Sequence, residues 1–383
     1  MAVFKLFPTK DTTLYSLFPN MNTGLDEIVE ATTLTLEQTP VPNVSRFLVD
    51  FSNTEITNTI NNKVGDKQWQ ANLRLYTAEV TGLDLDTAII VHPLAANWGM
   101  GTGKYLDNPQ TTNGASWIWV SFSGSTTSPT RWQTLINPGS FPNVTGSSNP
   151  TYAYDGGGAW YISGSDTHPV ISASQTFSFG DTLDLDLNVT EIVHNWYSGS
   201  LNQYGFIVKQ SSSQEFVANN NLQTELKYFS VDTHTIYPPN LEIKWDDFTY
   251  NTSSTIDEIA TPAVFVGLDE NPGIFYSESI NRFRINCRAK YPARTFQTAS
   301  AYTIQHYLPT ASYWAIQDLE TNEYIVDFDS TYTKISADTT SSYFDVYMDG
   351  LQPERNYKIL IQTTIQNSTL VLDDNYYFKV RKG

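Results

Sequence analysis

The stretch at residues 184–210, "DLDLNVTEIVHNWYSGSLNQYGFIVKQ", decides how the chain folds. Asp184, Asp186 and Asn188 alternate with Leu185, Leu187 and Val189, the period of a strand with one wet face and one buried face. The period then lengthens. Ile192, Val193 and Trp196 share one face of a short helix, which Thr190 is placed to cap and Gly199 to stop. "YGFIVKQ" follows as a second strand. The alternating oxygens also match a calcium site, but an EF-hand loop fails at its sixth position, where Val189 stands in place of glycine. The solvated face of a half-buried strand is the simpler account. His194, beside Trp196, reads as a packed core histidine, not as a base or a ligand.

Working outward, the rest of the chain repeats the strand–turn–strand pattern. "RFLVDFS", "ANLRLYTAEV", "AIIVHPLA", "QTFSF", "LKYFSV" and "LEIKWDDF" are short, β-branched or aromatic, and bounded by Asn, Gly, Pro or Ser. The 383 residues exceed one typical core, so two domains are expected. Hydrophobic residues make up 40% and aromatics 14%, which supplies cores and argues against disorder. Residues 121–165 are dense in Gly, Ser, Thr, Asn and Pro yet carry Trp132, Tyr152, Tyr154 and Trp160. They read as a long ordered insertion whose aromatics need burial or a ligand. A polar break, "YNTSSTIDEIATP" at 250–262, reads as a linker.

The formal net charge of -18 opposes nucleic-acid and anionic-membrane binding, since a phosphate surface would be repelled. Cys287 is the single cysteine, which excludes an intrachain disulfide and a cysteine-based zinc site. The start, "MAVFKLFPTKDTTLYS", lacks an apolar run of signal-peptide length, and no stretch approaches the roughly 20 apolar residues of a membrane span. Synthesis in a cytoplasm is expected, with any later address reached by assembly or lysis. Sequons at Asn43, Asn143, Asn188, Asn251 and Asn367 are what chance supplies in a chain this rich in Asn, Ser and Thr.

Three motifs carry the remaining argument. "DGLQPERNYKILIQTT" places Leu351, Pro353 and Tyr357 at the spacing of a tyrosine corner, in which the Tyr hydroxyl ties back to upstream backbone in immunoglobulin-like sandwiches. In "ASWIWVSF", Trp117 and Trp119 alternate, as the platform of a glycan-binding face would; packing of that face under the insertion, with Trp132 or Trp160 closing over it, is the favoured reading. In "RFRINCRAKYPAR", Arg282, Arg284, Arg288 and Lys290 fall on one strand face, with Arg294 beyond Pro292. Phe283, Ile285, Cys287 and Ala289 fall on the other. Against an acidic background this face is expected to dock on an acidic patch of a neighbouring subunit, including another copy of this chain. "WGMGTGKY" fails as a phosphate loop, because Trp98 stands where the first glycine is needed and Tyr105 where Ser or Thr is needed. No His-Glu-x-x-His or Gly-x-Ser-x-Gly motif occurs, and no carboxylate pair stands out among forty acids. No catalytic residue, metal or cofactor is therefore assigned.

The pieces "KDTTLYS", "MNTG", "RFLVDF", "ANLRLYTAEV", "IIVHPLAANW", "LDLNVTEIVHNW", "YGFIVKQ" and "LEIKWDDF", in this order across most of residues 8–248, resemble a DNRLRE-type β-sandwich, a jelly roll related to carbohydrate-binding modules. That resemblance implies that Val189, Val193 and Trp196 belong to a structural helix packed on the sandwich. The glycine-rich run after Trp98 and the long insertion depart from the pattern. "NPGIFYSESINRFRINCRAKYPARTF" and "YMDGLQPERNYKILIQTT" resemble stretches of virion structural proteins of large marine tailed phages, over roughly the last third.

Together these give an all-β protein. A jelly-roll sandwich (1–250) is followed by a linker (251–261) and an immunoglobulin- or fibronectin III-like sandwich (262–383). The expected function is a non-enzymatic structural component of a tailed phage virion, at the neck or collar, the tail or the surface. Its partners would be other virion proteins and copies of itself. The alternative is a module contacting a host-surface glycan through Trp117 and Trp119. A polysaccharide-degrading enzyme ranks last.

Overall fold

A computed structural model describes residues 2–35, 42–82, 86–122, 130–136, 143–147, 156–178, 180, 182–215, 224–269, 271–292 and 304–383. The chain is all-β, built from largely antiparallel sheets of sandwich type, with short helices between strands. It divides into two compact units. One comprises Leu6–Lys63 and Gln70–Glu242, the other Met1–Lys5, Val64–Trp69 and Ile243–Gly383. The chain thus crosses between units at four points, where a single crossing near residue 250 was expected.

The first unit is organised by an eight-stranded sheet. Its main path runs Ala173–Phe177, Thr87–Pro93, Phe206–Gln210, Pro42–Phe51, Ile28–Thr35, Thr224–Phe229, Thr77–Thr81, and Pro8–Tyr15 also pairs with Pro42–Phe51. These pairings are antiparallel. The two central strands, Pro42–Phe51 and Phe206–Gln210, show no alternation of burial. Val44 to Phe51 and Phe206 to Gln210 are buried without interruption. A strand covered on both faces reads this way. One face carries Phe47, Val49, Phe206 and Val208; Phe206 lies 4.6 Å from Trp196 between ring centroids. The other face carries Val44, Leu48 and Ile207 and is covered by the segment after Leu94, through Trp98, Trp117, Trp132, Ala159 and Trp160.

The stretch 184–210 behaves as the periodicity demands. Leu185–Asn188 is a strand paired with Trp69–Leu75, with Leu185 and Leu187 buried and Asp186 and Asn188 exposed. A helix, Thr190–Tyr197, follows and buries Ile192, Val193 and Trp196. Its entry differs in detail. Thr190 is the first helical residue, and the Asn188 side chain takes the Thr190 N–H at 3.0 Å. The chain leaves the helix at Gly199, at φ +73°, a conformation that favours glycine.

In the second unit, a four-stranded sheet (Val264–Asp269, Ile280–Ala289, Ser342–Tyr347, Ser336–Ala337) and a five-stranded sheet (Ile274–Tyr276, Ser368–Arg381, Asn356–Ile365, Ser312–Asp318, Tyr324–Val326) share one core. Rings from both sheets bind it. Phe283 stacks on Phe344 at 5.3 Å, Trp314 on Phe344 at 5.1 Å, and Phe378 meets Phe283 at 5.8 Å. Such pairs add roughly 0.5–1.5 kcal/mol each beyond area burial. Cys287 is buried here, and burial pushes its thiol pKa up to about 12, leaving it inert.

The polar run at 250–262 does not act as a free linker. The Tyr250 hydroxyl donates to Leu308 O at 2.8 Å, Ser253 N donates to the Tyr307 hydroxyl at 3.0 Å, and Ile259 is buried. Tyr250 and Ile259 give this otherwise hydrophilic run two anchors.

The Tyr357 hydroxyl donates to Gln352 O at 2.8 Å, and Tyr357 is 1% exposed. The corner ties the turn at 351–355 to the strand that follows. Tyr357→Phe removes this hydrogen bond and should cost about 0.5–1.5 kcal/mol, the net worth of one such bond. Denaturant unfolding of the full chain checks this, and an unchanged transition would contradict it.

Candidate functional site

In the first unit the polar side chains of 184–194 are spent locally. Asp184 Oδ1 accepts Thr77 N at 2.8 Å, and Asp186 Oδ1 accepts Asn72 Nδ2 at 2.7 Å. Among the described residues, no group of three His, Cys, Asp or Glu side chains is arranged to hold a metal ion. His194 is not a core residue. It is half-buried and stacks on His168, ring centroids 4.4 Å apart and planes 3° from parallel. Burial, then the neighbouring His168, lowers its pKa.

Trp117 and Trp119 do not form an open platform. Trp117 sits in a bend, not a strand, and is 1% exposed. Gly157, at φ +75°, lies against its ring, and a Cβ there would come within 2.7 Å of it. Trp119 is half-buried, donates Nε1–H to Asn20 Oδ1 at 3.0 Å, and has the Arg131 guanidinium 4.8 Å from its ring centroid. The alternation argument fails because the backbone at Trp117 turns. The aromatics of the insertion are likewise buried, Trp132 at 0% and Trp160 at 7%. Tyr152 and Tyr154 lie outside the described residues.

Beneath that cover lies an ion cluster that nothing in the sequence pattern announces. Arg46 is 0% exposed and forms a forked pair with Glu215, Nε to Oε1 at 2.9 Å and Nη2 to Oε2 at 2.7 Å. Its Nη1 donates to Gly157 O at 2.6 Å, and its guanidinium lies 5.2 Å from the Trp117 ring and 5.5 Å from that of Trp160. Lys209 joins Glu215 Oε2 at 3.4 Å. His92 stacks on Trp160 at 5.6 Å, and burial, then Lys209, lowers its pKa to about 4. Arg46 and Glu215 are 169 residues apart, so no local motif marks them. The only hint is charged letters inside the runs "SRFLVDF" and "FIVKQ".

The basic strand of the second unit is partly spent as well. Arg282 stands opposite Asp345 in register and pairs with it in fork geometry, both bonds 2.8 Å. Arg284 makes the same kind of pair with Asp338, at 3.2 and 2.8 Å, and holds that carboxyl well below the usual range. Arg288 lies 4.3 Å from the Phe265 ring centroid. Lys290 is exposed, and Arg294 lies outside the described residues. The bidentate pairing expected with a neighbouring subunit is thus made within the sheet, because the adjacent segment supplies Asp338 and Asp345.

What the first unit does present to solvent is an apolar knuckle. Leu106 is 58% exposed, Tyr105 47%, Leu17 42% and Leu25 36%. They belong to adjoining loops. Tyr105 packs on Tyr15 at 5.0 Å and near Phe18 at 6.1 Å, and Leu25 N donates to Gly103 O. Leu106 has φ +56°, the left-handed region that a leucine rarely occupies. Asn22 holds the loops. This fully buried amide donates to Met100 O (2.7 Å) and Ala115 O (2.8 Å) and accepts from Gly24 N (3.2 Å) and Gly103 N (2.9 Å). That is why "WGMGTG" is glycine-rich. At Gly101, φ +81°, a Cβ would collide with the Asn22 side chain. Asp26, Glu27 and Asp107 belong to the same loops, and Asp26 Oδ1 accepts Tyr105 N at 3.1 Å.

No family model matches the chain, and no curated protein matches it. Solved structures resemble it weakly. The adhesin domain of Epf from Streptococcus pyogenes is 10% identical over 100% of this chain and 99% of that one, with a TM-score of 0.17. A DUF4785 family protein from Legionella pneumophila is 8% identical over 82% and 65%, TM-score 0.17. A β-galactosidase-type protein from Bacteroides fragilis is 8% identical over 97% and 41%, TM-score 0.18. Likenesses at this level carry no argument about function.

Two expected outcomes follow from the buried charges. Arg46→Met alone should destabilise the first unit by about 3 kcal/mol, the low end for breaking a buried pair, because Lys209 remains beside Glu215. Arg46→Met with Glu215→Leu should recover most of that loss in denaturant unfolding. Asp11 is 1% exposed, and burial, opposed by the Val231 N–H and reinforced by Asp232 and Asp26, raises its pKa to about 8. The folded state therefore holds a proton that the unfolded state releases above pH 4, so this group lowers stability as pH rises from about 4 to about 8. Asp11→Asn should be neutral near pH 4 and increasingly stabilising toward pH 8, and a pH series of unfolding curves measures it.

Proposed function

We propose that this chain is a non-enzymatic structural subunit of a tailed phage particle, a jelly-roll sandwich and an immunoglobulin-like sandwich that work through contacts with other virion proteins. The observation that carries this reading is the knuckle around Leu106. Contiguous exposed apolar side chains on a preorganised loop mark interaction surfaces in soluble proteins. Holding a leucine in a left-handed conformation costs roughly 1 kcal/mol or more that folding alone does not require. The acids of the same loops fit a partner with an apolar socket and basic edges. Arg46, Arg282 and Arg284 are committed to ion pairs inside the chain, which suits a protein that acts by shape. The resemblance of the last third to virion structural proteins points to the setting. The glycan alternative loses its named platform, since Trp117 is buried.

Leu106→Asn separates docking from folding, because asparagine tolerates a positive φ. The variant should keep or slightly raise its melting temperature, and its copy number in purified particles, counted by mass spectrometry, should fall at least several-fold. Wild-type occupancy with Leu106→Asn would remove the knuckle from the interface. Absence of the wild-type chain from particles would remove the virion reading itself.

A further inference from the structure

Three of the five histidines lie along one seam of the first unit, where the insertion and its return segment meet the body. His92, on the strand Thr87–Pro93, stacks under Trp160 of the insertion strand Gly156–Tyr161. His168, in the return segment, stacks on His194 of the helix Thr190–Tyr197 and bonds Glu191 Oε2 through Nδ1 at 2.9 Å. Asn195, fully buried, clasps the same segment. Its Oδ1 accepts Ser165 N at 2.9 Å and its Nδ2 donates to His168 O at 2.7 Å. We propose that this seam is an acid-sensitive latch, so that mild acidification releases residues 156–171 from the sheet face they cover while the sandwich beneath stays folded.

The charges around each histidine set the direction. His92 faces Lys209 and Arg46 with Glu215 beyond them, and its one favourable partner is the Ile171 backbone. A proton there adds a third cation to a cluster under a tryptophan. His194 faces His168 and Glu191. Glu191 is already bonded to the His168 ring, so a proton on His194 lands 4.4 Å from that ring without a carboxylate of its own. His92 and His194 both have pKa values below 6.5 while the seam is closed, and they return toward it on opening. The open state therefore binds more protons between about pH 6.5 and 4, and closure weakens as pH falls through that window. Acid acts oppositely at Asp11, on the strand Pro8–Tyr15, which is already protonated there.

Hydrogen exchange of the full chain at pH 7.5 and 5.0, corrected for intrinsic rates, tests the latch. Peptides within 156–171 should lose protection at least tenfold more than peptides from Pro42–Phe51. His92→Gln and His194→Gln should each shrink that loss, and the pair should abolish most of it. Equal loss in both regions would mean general acid unfolding, and an unchanged seam at pH 5.0 would mean no latch; either overturns the proposal. So would a selective loss that persists in the double variant, whose fold is checked by its exchange at pH 7.5.

Discussion

The first unit depends on how one guanidinium is buried. Arg46 sits mid-strand and fully buried, and desolvating such an ion costs several kcal/mol unless its donors are met. Glu215 meets two of them, Gly157 O a third, and two indole rings flank the plane. None of these partners is nearby in sequence. The ion pair is therefore satisfied only when the loop carrying Glu215, the insertion strand carrying Gly157 and Trp160, and the bend carrying Trp117 have all arrived. A buried charge of this kind acts as a condition on the topology more than as a source of net stability, since an apolar replacement of the pair would fold about as well.

The same logic separates what the sequence disclosed from what it concealed. The alternation of 184–189 and the following helix were legible although the strand they pair with, Trp69–Leu75, is far away in sequence, because each face announces itself through local polarity. Tyr357 was legible because its acceptor lies five residues back. At Trp117 the sequence favoured packing under the insertion but left a glycan platform open, because its burial comes from Gly157 and Trp160, forty residues downstream. The arginines of "RFRINCRAK" were read as free because strand register alone places Asp345 opposite Arg282, and Asp338 reaches Arg284 from the turn after Ser336–Ala337. Long-range pairing of charges on neighbouring strands leaves no periodic trace in either strand.

Leu106 belongs to a third category, neither legible nor explained by packing. Its neighbours are fixed by Asn22 and a ring of glycines, so the loop is rigid, yet the residue it displays is apolar and strained. Rigid support for an exposed hydrophobe lowers the entropy that a partner must overcome on docking. The buried ion cluster and the amide-held loops both lie on the side of the sheet that the insertion covers, where Ala115, Trp117 and Trp160 join one core.

The four crossings between units also set a schedule for the ribosome. Residues 6–63 and 70–242 make up the first unit, and they are complete once residue 242 has emerged. The segments 2–5 and 64–69 are made early but belong with 243–383. They must wait, unpaired, through the translation of well over a hundred residues, at about 5–20 residues per second. For several seconds each nascent chain carries a finished body and two stranded tethers. Where many copies are translated side by side, a neighbour's late-emerging C-terminal strands can capture those tethers, so exchange between chains competes with correct closure.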